Sequence, residues 1–137
     1  MSSGIDCTDE CVDAFNALKL KHTTPYIIFK ITDDFEEIEV LKQGEKGSSY
    51  DDFMEELPEN ACRYAVYDYE FEDDGRKQSK ILFVVWAPDS SKIKEKMLYA
   101  SSKANFKKKL VGIGNEIQAT ELSEIDEESV KEKVTRV

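Results

Sequence analysis

This chain of 137 residues has one histidine, three cysteines, three prolines and no apolar run long enough to cross a bilayer, and each scarcity removes a class of function. His22 alone cannot form a two-histidine metal site, and no nucleophile elbow, phosphate loop or zinc-protease motif accompanies it, so it reads as an ordinary loop residue. Cys7, Cys11 and Cys62 are odd in number and form neither CxxC nor a Cys/His ligand set, which argues against a disulfide framework and structural zinc. They read as reduced thiols, with Cys7 and Cys11 packing as small apolar residues at helical spacing. The start MSSGIDCTDE lacks a basic segment followed by an apolar one, and Gly4 does not follow Met1, so neither a secretory signal nor a myristoylation pattern is present. Basic residues are outnumbered, 19 Lys and Arg against 29 Asp and Glu, and the formal net charge of −10 would repel a phosphate backbone. The expectation is a chain that is no enzyme, holds no cofactor or metal, binds no nucleic acid and is not an integral membrane protein.

What is present describes a globular chain. Hydrophobic residues make up 40% and charged residues 35%, too apolar for disorder. One domain of this size buries roughly 68 to 70% of its unfolded surface. No repeat or linker divides the chain, and the elements read as helix, hairpin, helix, hairpin, helix, strand, helix, a mixed α/β architecture of the α+β type. Thr8, followed by Asp9 and Glu10, caps a first helix running to about Leu18. Tyr26 to Thr32 and Ile38 to Lys42 form a hairpin around Asp33 and Asp34. Ser48 or Ser49 caps a short helix carrying Tyr50, Phe53, Met54 and Leu57, stopped by Pro58. Arg63 to Phe71 alternates as a half-buried strand, and Asp73, Asp74 and Gly75 make a turn. The continuous apolar run Ile81 to Trp86 predicts an interior strand covered on both faces. A short strand from Glu116 to Ala119 precedes a last helix capped by Asp126. The acidic stretch from Glu70 to Gly75 is not a calcium loop, because counting from Glu70 puts Ile81 where a bidentate glutamate is needed.

Ala87 to Leu110, APDSSKIKEKMLYASSKANFKKKL, predicts a long lysine-rich surface helix, capped by Asp89, Ser90 or Ser91. At about 100° per residue, Ile93, Ala100 and Ala104 share an inward stripe with Met97 at its edge, whereas Lys94, Leu98, Ser101 and Asn105 fall on another side. A lysine-flanked, partly apolar helix on an acidic protein points to a protein partner.

Beginning with KEKMLYASSK, the chain resembles the actin-depolymerising factor/cofilin family. SGI, FNALKLKH, YDDFMEELPENACRYAVYDYEF, KQSKILFVVWAPDS, KEKMLYASSK, KKKLVGI, EIQAT and LSEI occur in one order and cover nearly the whole chain. Several irregular motifs in one order are far more specific than any single short motif. The resemblance implies a single ADF-homology domain over residues 1–137, a central mixed β-sheet sandwiched between α-helices, with a short flexible N-terminal segment. It implies a monomer in the cytoplasm and the actin-rich cortex that binds monomeric and filamentous actin, prefers ADP-actin, severs filaments and speeds their depolymerisation.

The site for monomer and filament carries over to Ser3, Gly4, Ile5, Lys94, Lys96, Met97 and Leu98, with Ser3 also a phosphorylation position. The filament-specific site carries over to Lys80, Glu132, Lys133 and Arg136. At Gln78, where several relatives carry a basic residue, this chain is neutral, although Arg76 and Lys77 lie close by. Phosphoinositide lipids are implied as regulators, through Lys94, Lys96, Lys107, Lys108 and Lys109. Two alternatives stand beside the main reading: a filament-side binder that severs weakly or not at all, and a phosphoinositide-regulated binder at membrane surfaces.

Overall fold

A computed structural model describes residues 5–135. Six strands form one mixed sheet in the order β1-β3-β2-β4-β5-β6. These are β1 (Asp6–Cys7), β2 (Tyr26–Ile31), β3 (Glu37–Gln43), β4 (Arg63–Asp73), β5 (Arg76–Trp86) and β6 (Ile113–Ala119). Four α-helices accompany them: α1 (Asp9–Lys21), α2 (Tyr50–Glu55), α3 (Ile93–Lys109) and α4 (Glu127–Thr135). β1 pairs with β3 and β6 with β5 in parallel, and the remaining pairs are antiparallel. The expected sandwich is what forms. Phe15 and Leu18 of α1 and Tyr99 and Phe106 of α3 pack on the sheet face carrying Phe29, Tyr64, Val66 and Phe83. Tyr50 and Phe53 of α2 and Val130 and Val134 of α4 pack on the opposite face, with Tyr67, Leu82, Val84 and Trp86.

The run Ile81 to Trp86 lies between β4 and β6, buried on both faces as its continuous apolar pattern predicts. β4 and β5 form a hairpin of eleven residues each, longer than the sequence pattern marks, because the polar halves pair beyond the core. Asp74 and Gly75 turn it with φ of 55° and 78°, the two positive values a tight two-residue hairpin turn needs. Ser49 caps α2 through a reciprocal box: the Asp52 N–H donates to Ser49 Oγ at 3.1 Å and the Ser49 N–H to Asp52 Oδ2 at 2.9 Å. Asp126 caps α4, accepting from the Ser129 N–H at 2.8 Å. β1 and the 3₁₀ turn Leu122–Glu124 were not marked by the sequence pattern, since two or three residues carry no periodicity.

Several local expectations are corrected. Thr8 is the N-cap of α1, but its side chain makes no capping bond and lies instead 3.5 Å from Cys11 Sγ. α1 runs on to Lys21, placing Lys19 and Lys21 where the helix dipole favours cations. His22 is no ordinary loop residue: it ends α1 with φ of 53°, its N–H bonded to the Leu18 carbonyl and its Nδ1 2.6 Å from Oδ2 of buried Asp68. α3 starts at Ile93, after Lys92, without a side-chain cap, because Ser91 is buried and its hydroxyl donates to the Pro88 carbonyl.

The phase of α3 is the largest correction. Ile93, Met97, Ala100 and Ala104 face solvent, with Ile93 76% and Met97 65% exposed, while Tyr99, Ser102 and Phe106 point inward and Leu98 packs at the edge of the core. Aromatic rings carry the most buriable surface, and Tyr99 and Phe106 take the inner side although the alanine and isoleucine stripe is as regular.

Candidate functional site

The exposed face of α3 is an apolar ridge of Ile93, Met97, Ala100 and Ala104, with Lys94 on one flank and Lys96 on the other. Lys94 Nζ lies 4.6 Å from the centre of the Phe35 ring, a cation–π contact across to the β2–β3 turn. Phe35 has φ of 61° and is 40% exposed. Lys96 Nζ donates to the Asp89 carbonyl at 2.7 Å, which steers the lysine along the start of the helix. Glu95, between them, turns inward and accepts from the Cys62 N–H, fixing the helix start against β4.

The N-terminal strand lies along the Leu98 flank of the same helix. The Ile5 N–H donates to Ser102 Oγ at 3.1 Å, and Asn105 and Lys109 reach Asp6 Oδ1 at 2.8 and 3.3 Å. The Asn105 hydrogen bond, then the charge of Lys109, hold the Asp6 carboxyl below the usual carboxylate range. Ser102, Asn105 and Lys109 recur at helical spacing, so one side of α3 grips the strand. The structure therefore places Lys94, Lys96, Met97 and Leu98 on one helix and Ile5 against it. Ser3 and Gly4 lie outside the described residues.

A cleft of about 470 Å³ opens between the N-terminal half of α3 and the β2–β3 turn, lined among others by Lys30, Phe35, Arg63, Lys94 and Leu98. Phe35 and Arg63 were not singled out from the sequence. An aromatic residue inside the acidic turn DDFEE was the available signal for the first.

A second surface joins the hairpin to the last helix. Lys80, exposed on β5, donates from Nζ to the Val134 carbonyl at 3.2 Å, close to Glu132 and Lys133 on α4. That bond ties Lys80 to the helix that carries Glu132 and Lys133, and Arg136 lies outside the described residues. Gln78 is exposed on the same strand, paired with Phe71.

The lysines at the end of α3 are arranged differently. Lys107 and Lys103 both bind Glu116, each at 2.9 Å. Burial works against ionisation of Glu116, but those two hydrogen bonds hold its carboxyl below the ordinary value. Lys109 is taken up by Asp6, and Lys108 stays exposed. Consecutive residues project about 100° apart, and Lys94 lies roughly 20 Å along the axis from Lys107, so Lys94, Lys96, Lys107, Lys108 and Lys109 are spread over the helix and not clustered.

A mixed sheet covered by helices on both faces, with a long helix that presents lysines and apolar side chains and grips an N-terminal strand, defines a helix-mediated binding module. The model of the family described as Cofilin/tropomyosin-type actin-binding protein matches residues 4–135. The chain is 48% identical over 134 residues to actophorin of Acanthamoeba castellanii, covering 98% of this chain and 97% of that one. It is 46% identical over 137 residues to cofilin-1A of Dictyostelium discoideum, covering both chains completely. The crystal structure of Streptomyces griseoflavus cofilin superposes with a TM-score of 0.91 at 45% identity, covering 97% of this chain and 98% of that one. The chain belongs to the cofilin/ADF family. Among the described residues, no helix is long and apolar enough to cross a membrane.

Proposed function

We propose that this protein binds actin and promotes filament depolymerisation, with the α3 ridge as its main contact. The observation that carries this reading is the exposed pair Ile93 and Met97 between Lys94 and Lys96 on a chain of net charge −10. Interfaces concentrate their energy in a few apolar anchors, while flanking charges orient the partner and speed encounter. Ile93 and Met97 enter an apolar cleft of actin, the lysines meet its acidic rim, and Ile5, with Ser3 and Gly4, completes the contact. Ile93 joins the contact set on grounds of exposure. Phosphate on Ser3 would add roughly −1.5 to −2 charge near this contact and weaken it.

Lys80 on β5 and Glu132 and Lys133 on α4 form a filament-specific contact, to which Arg136 also contributes. The chain works as one domain and one copy, in the cytoplasm and actin-rich cortex, as a binder without a chemical step. Higher affinity for a twisted, ADP-bound filament than for the resting one shifts the filament toward the twisted state, loosens subunit contacts and severs at boundaries with bare filament. Anionic phosphoinositides compete for the exposed lysines as regulators. Cosedimentation with ADP-actin and ATP-actin, paired with imaging of single filaments, tests the reading: binding with faster subunit loss is expected, and a folded chain that leaves both actin forms in the supernatant and the filaments intact refutes it.

A further inference from the structure

The cleft between the N-terminal half of α3 and the β2–β3 turn has the size of a small-molecule site: its 470 Å³ falls within the usual range of about 300 to 1,000 Å³. Its floor is apolar and firm. Ile31 and Tyr99 are buried, Leu98 packs at the edge of the core, and the Ile31 N–H donates to Tyr99 Oη at 2.9 Å. The proton of that hydroxyl has no acceptor among the described residues. One wall is the Phe35 ring, carried on a left-handed backbone that bulky side chains rarely adopt. The turn holds this shape from within: the Phe35 N–H donates to the Thr32 carbonyl at 2.8 Å and the Glu36 N–H to Asp34 Oδ1 at 3.1 Å. The ring is therefore in place before any ligand arrives, and such preorganisation lowers the cost of binding.

The charge of the cleft runs against that of the chain. On a protein of net charge −10 the lining holds four cations, Lys30, Arg63, Lys92 and Lys94, against two carboxylates, Asp33 and Glu95. Both carboxylates are engaged, Asp33 by Lys30 at 3.1 Å and Glu95 by the Cys62 N–H. Lys94 stands over the Phe35 ring. Arg63 uses only Nη1, which donates to the Cys62 carbonyl at 2.7 Å, and its Nε and Nη2, like Lys92 Nζ, have no partner among the described residues. Nε and Nη2 form the edge of a guanidinium that takes a carboxylate through two parallel N–H bonds.

We propose that this cleft binds a small aromatic carboxylate, with the carboxylate on the Arg63 fork and Lys92 and the ring between Phe35 and the floor of Ile31 and Leu98. A planar monoanion matches one open fork and one free ammonium. A phosphate dianion would bring a second negative charge beside Asp33 and Glu95, and like charges brought together in a site oppose binding. An aromatic body suits a cleft lined by Phe35 and Tyr99, since rings gain from offset or edge-to-face contact beyond the area they bury. The site shares with the α3 ridge only the flanking Lys94.

The test titrates 2-naphthoate into the isotope-labelled full chain and follows the backbone amide resonances. Saturable one-to-one binding is expected, with Kd of about 0.1 to 1 mM for a ligand of this size. The shifts should concentrate in residues 32–35, 61–63 and 92–98. Arg63→Gln, and the neutral isostere 2-naphthamide with the wild-type chain, should each weaken binding about tenfold, and Lys92→Gln about threefold. If Arg63→Gln does not fold, the naphthamide comparison and Lys92→Gln, a change at an exposed position, decide. Absence of saturation, shifts centred elsewhere, equal affinity for 2-naphthamide, or tighter binding of 2-naphthyl phosphate than of 2-naphthoate would each overturn the proposal.

Discussion

Lys80 Nζ donates a hydrogen bond to the main-chain carbonyl of Val134, 3.2 Å away, so a cation on the exposed half of β5 closes the C-terminal end of α4. Unsatisfied carbonyls give a helix C-terminus partial negative charge, and an ammonium there satisfies one of them and complements the dipole. The fold itself thus ties Lys80 to the helix that carries Glu132 and Lys133.

Lys80→Ala together with Lys133→Ala should lower filament binding and severing while monomer binding stays within about twofold of wild type, since the α3 face is untouched. The lost capping bond costs about 0.5 to 1.5 kcal/mol, so a small fall in melting temperature is also expected. Equal losses for monomer and filament would show that the two surfaces do not act separately.

Lys94→Ala with Lys96→Ala should weaken binding to both actin forms, by more than about 1 kcal/mol if these lysines border the energetic centre of the contact. The fold should survive, because the charges lie at the surface and the Lys94–Phe35 contact at an exposed site is worth about 0.5 to 1 kcal/mol. Unchanged cosedimentation and monomer binding by the folded double variant would remove α3 from the interface.

The phase of α3 makes an opposite pair of predictions. Phe106→Ala should destabilise the protein by about 3 to 5 kcal/mol, as its buried ring packs against Phe29, Tyr64 and Phe83 with centroids 5.0, 5.2 and 5.9 Å away. Ile93→Ala and Met97→Ala should each change stability by no more than about 0.5 kcal/mol and yet reduce actin binding. Denaturant unfolding of the three variants decides between this phase and the reverse one.

His22 gives the stability a pH dependence of known sign. Its hydrogen bond to Asp68 and the charge of that carboxylate raise the imidazole above its ordinary value. The protonated pair therefore stabilises the fold fully below the unfolded value of about 6.5, and this contribution disappears as pH rises through the higher folded value. As pH rises from below the unfolded value through the raised folded one, wild type should lose stability relative to His22→Asn, which cannot gain a proton. Parallel pH profiles for the two proteins would show that the pair contributes nothing.

The element order was legible from local chemistry: the turn at Asp74 and Gly75, the cap at Ser49, the run from Ile81 to Trp86 and the acidic start of α4 all announce themselves within a few residues. The two-residue β1 was not, because its pairing with Glu37 and Ile38 involves a strand far away in the chain. The candidate site was legible by resemblance at Lys94, Lys96, Met97 and Leu98, but the resemblance did not fix the face on which each side chain stands. Phe35 entered only when the β2–β3 turn came to rest beside Lys94.

Composition and local pattern by themselves determined that this is an acidic, globular α+β chain with a buried central strand and a lysine-rich helix, since those properties follow from apolar periodicity, turn chemistry and charge count. Tertiary packing decided which side of that helix faces outward. Two stripes at the same period compete for the core, and only the space between Phe29, Tyr64 and Phe83, shaped to take Phe106, selects the aromatic one and leaves Ile93 and Met97 exposed. The His22–Asp68 contact was settled in the same way, because the proximity that shifts the protonation of His22 exists only after the chain has folded.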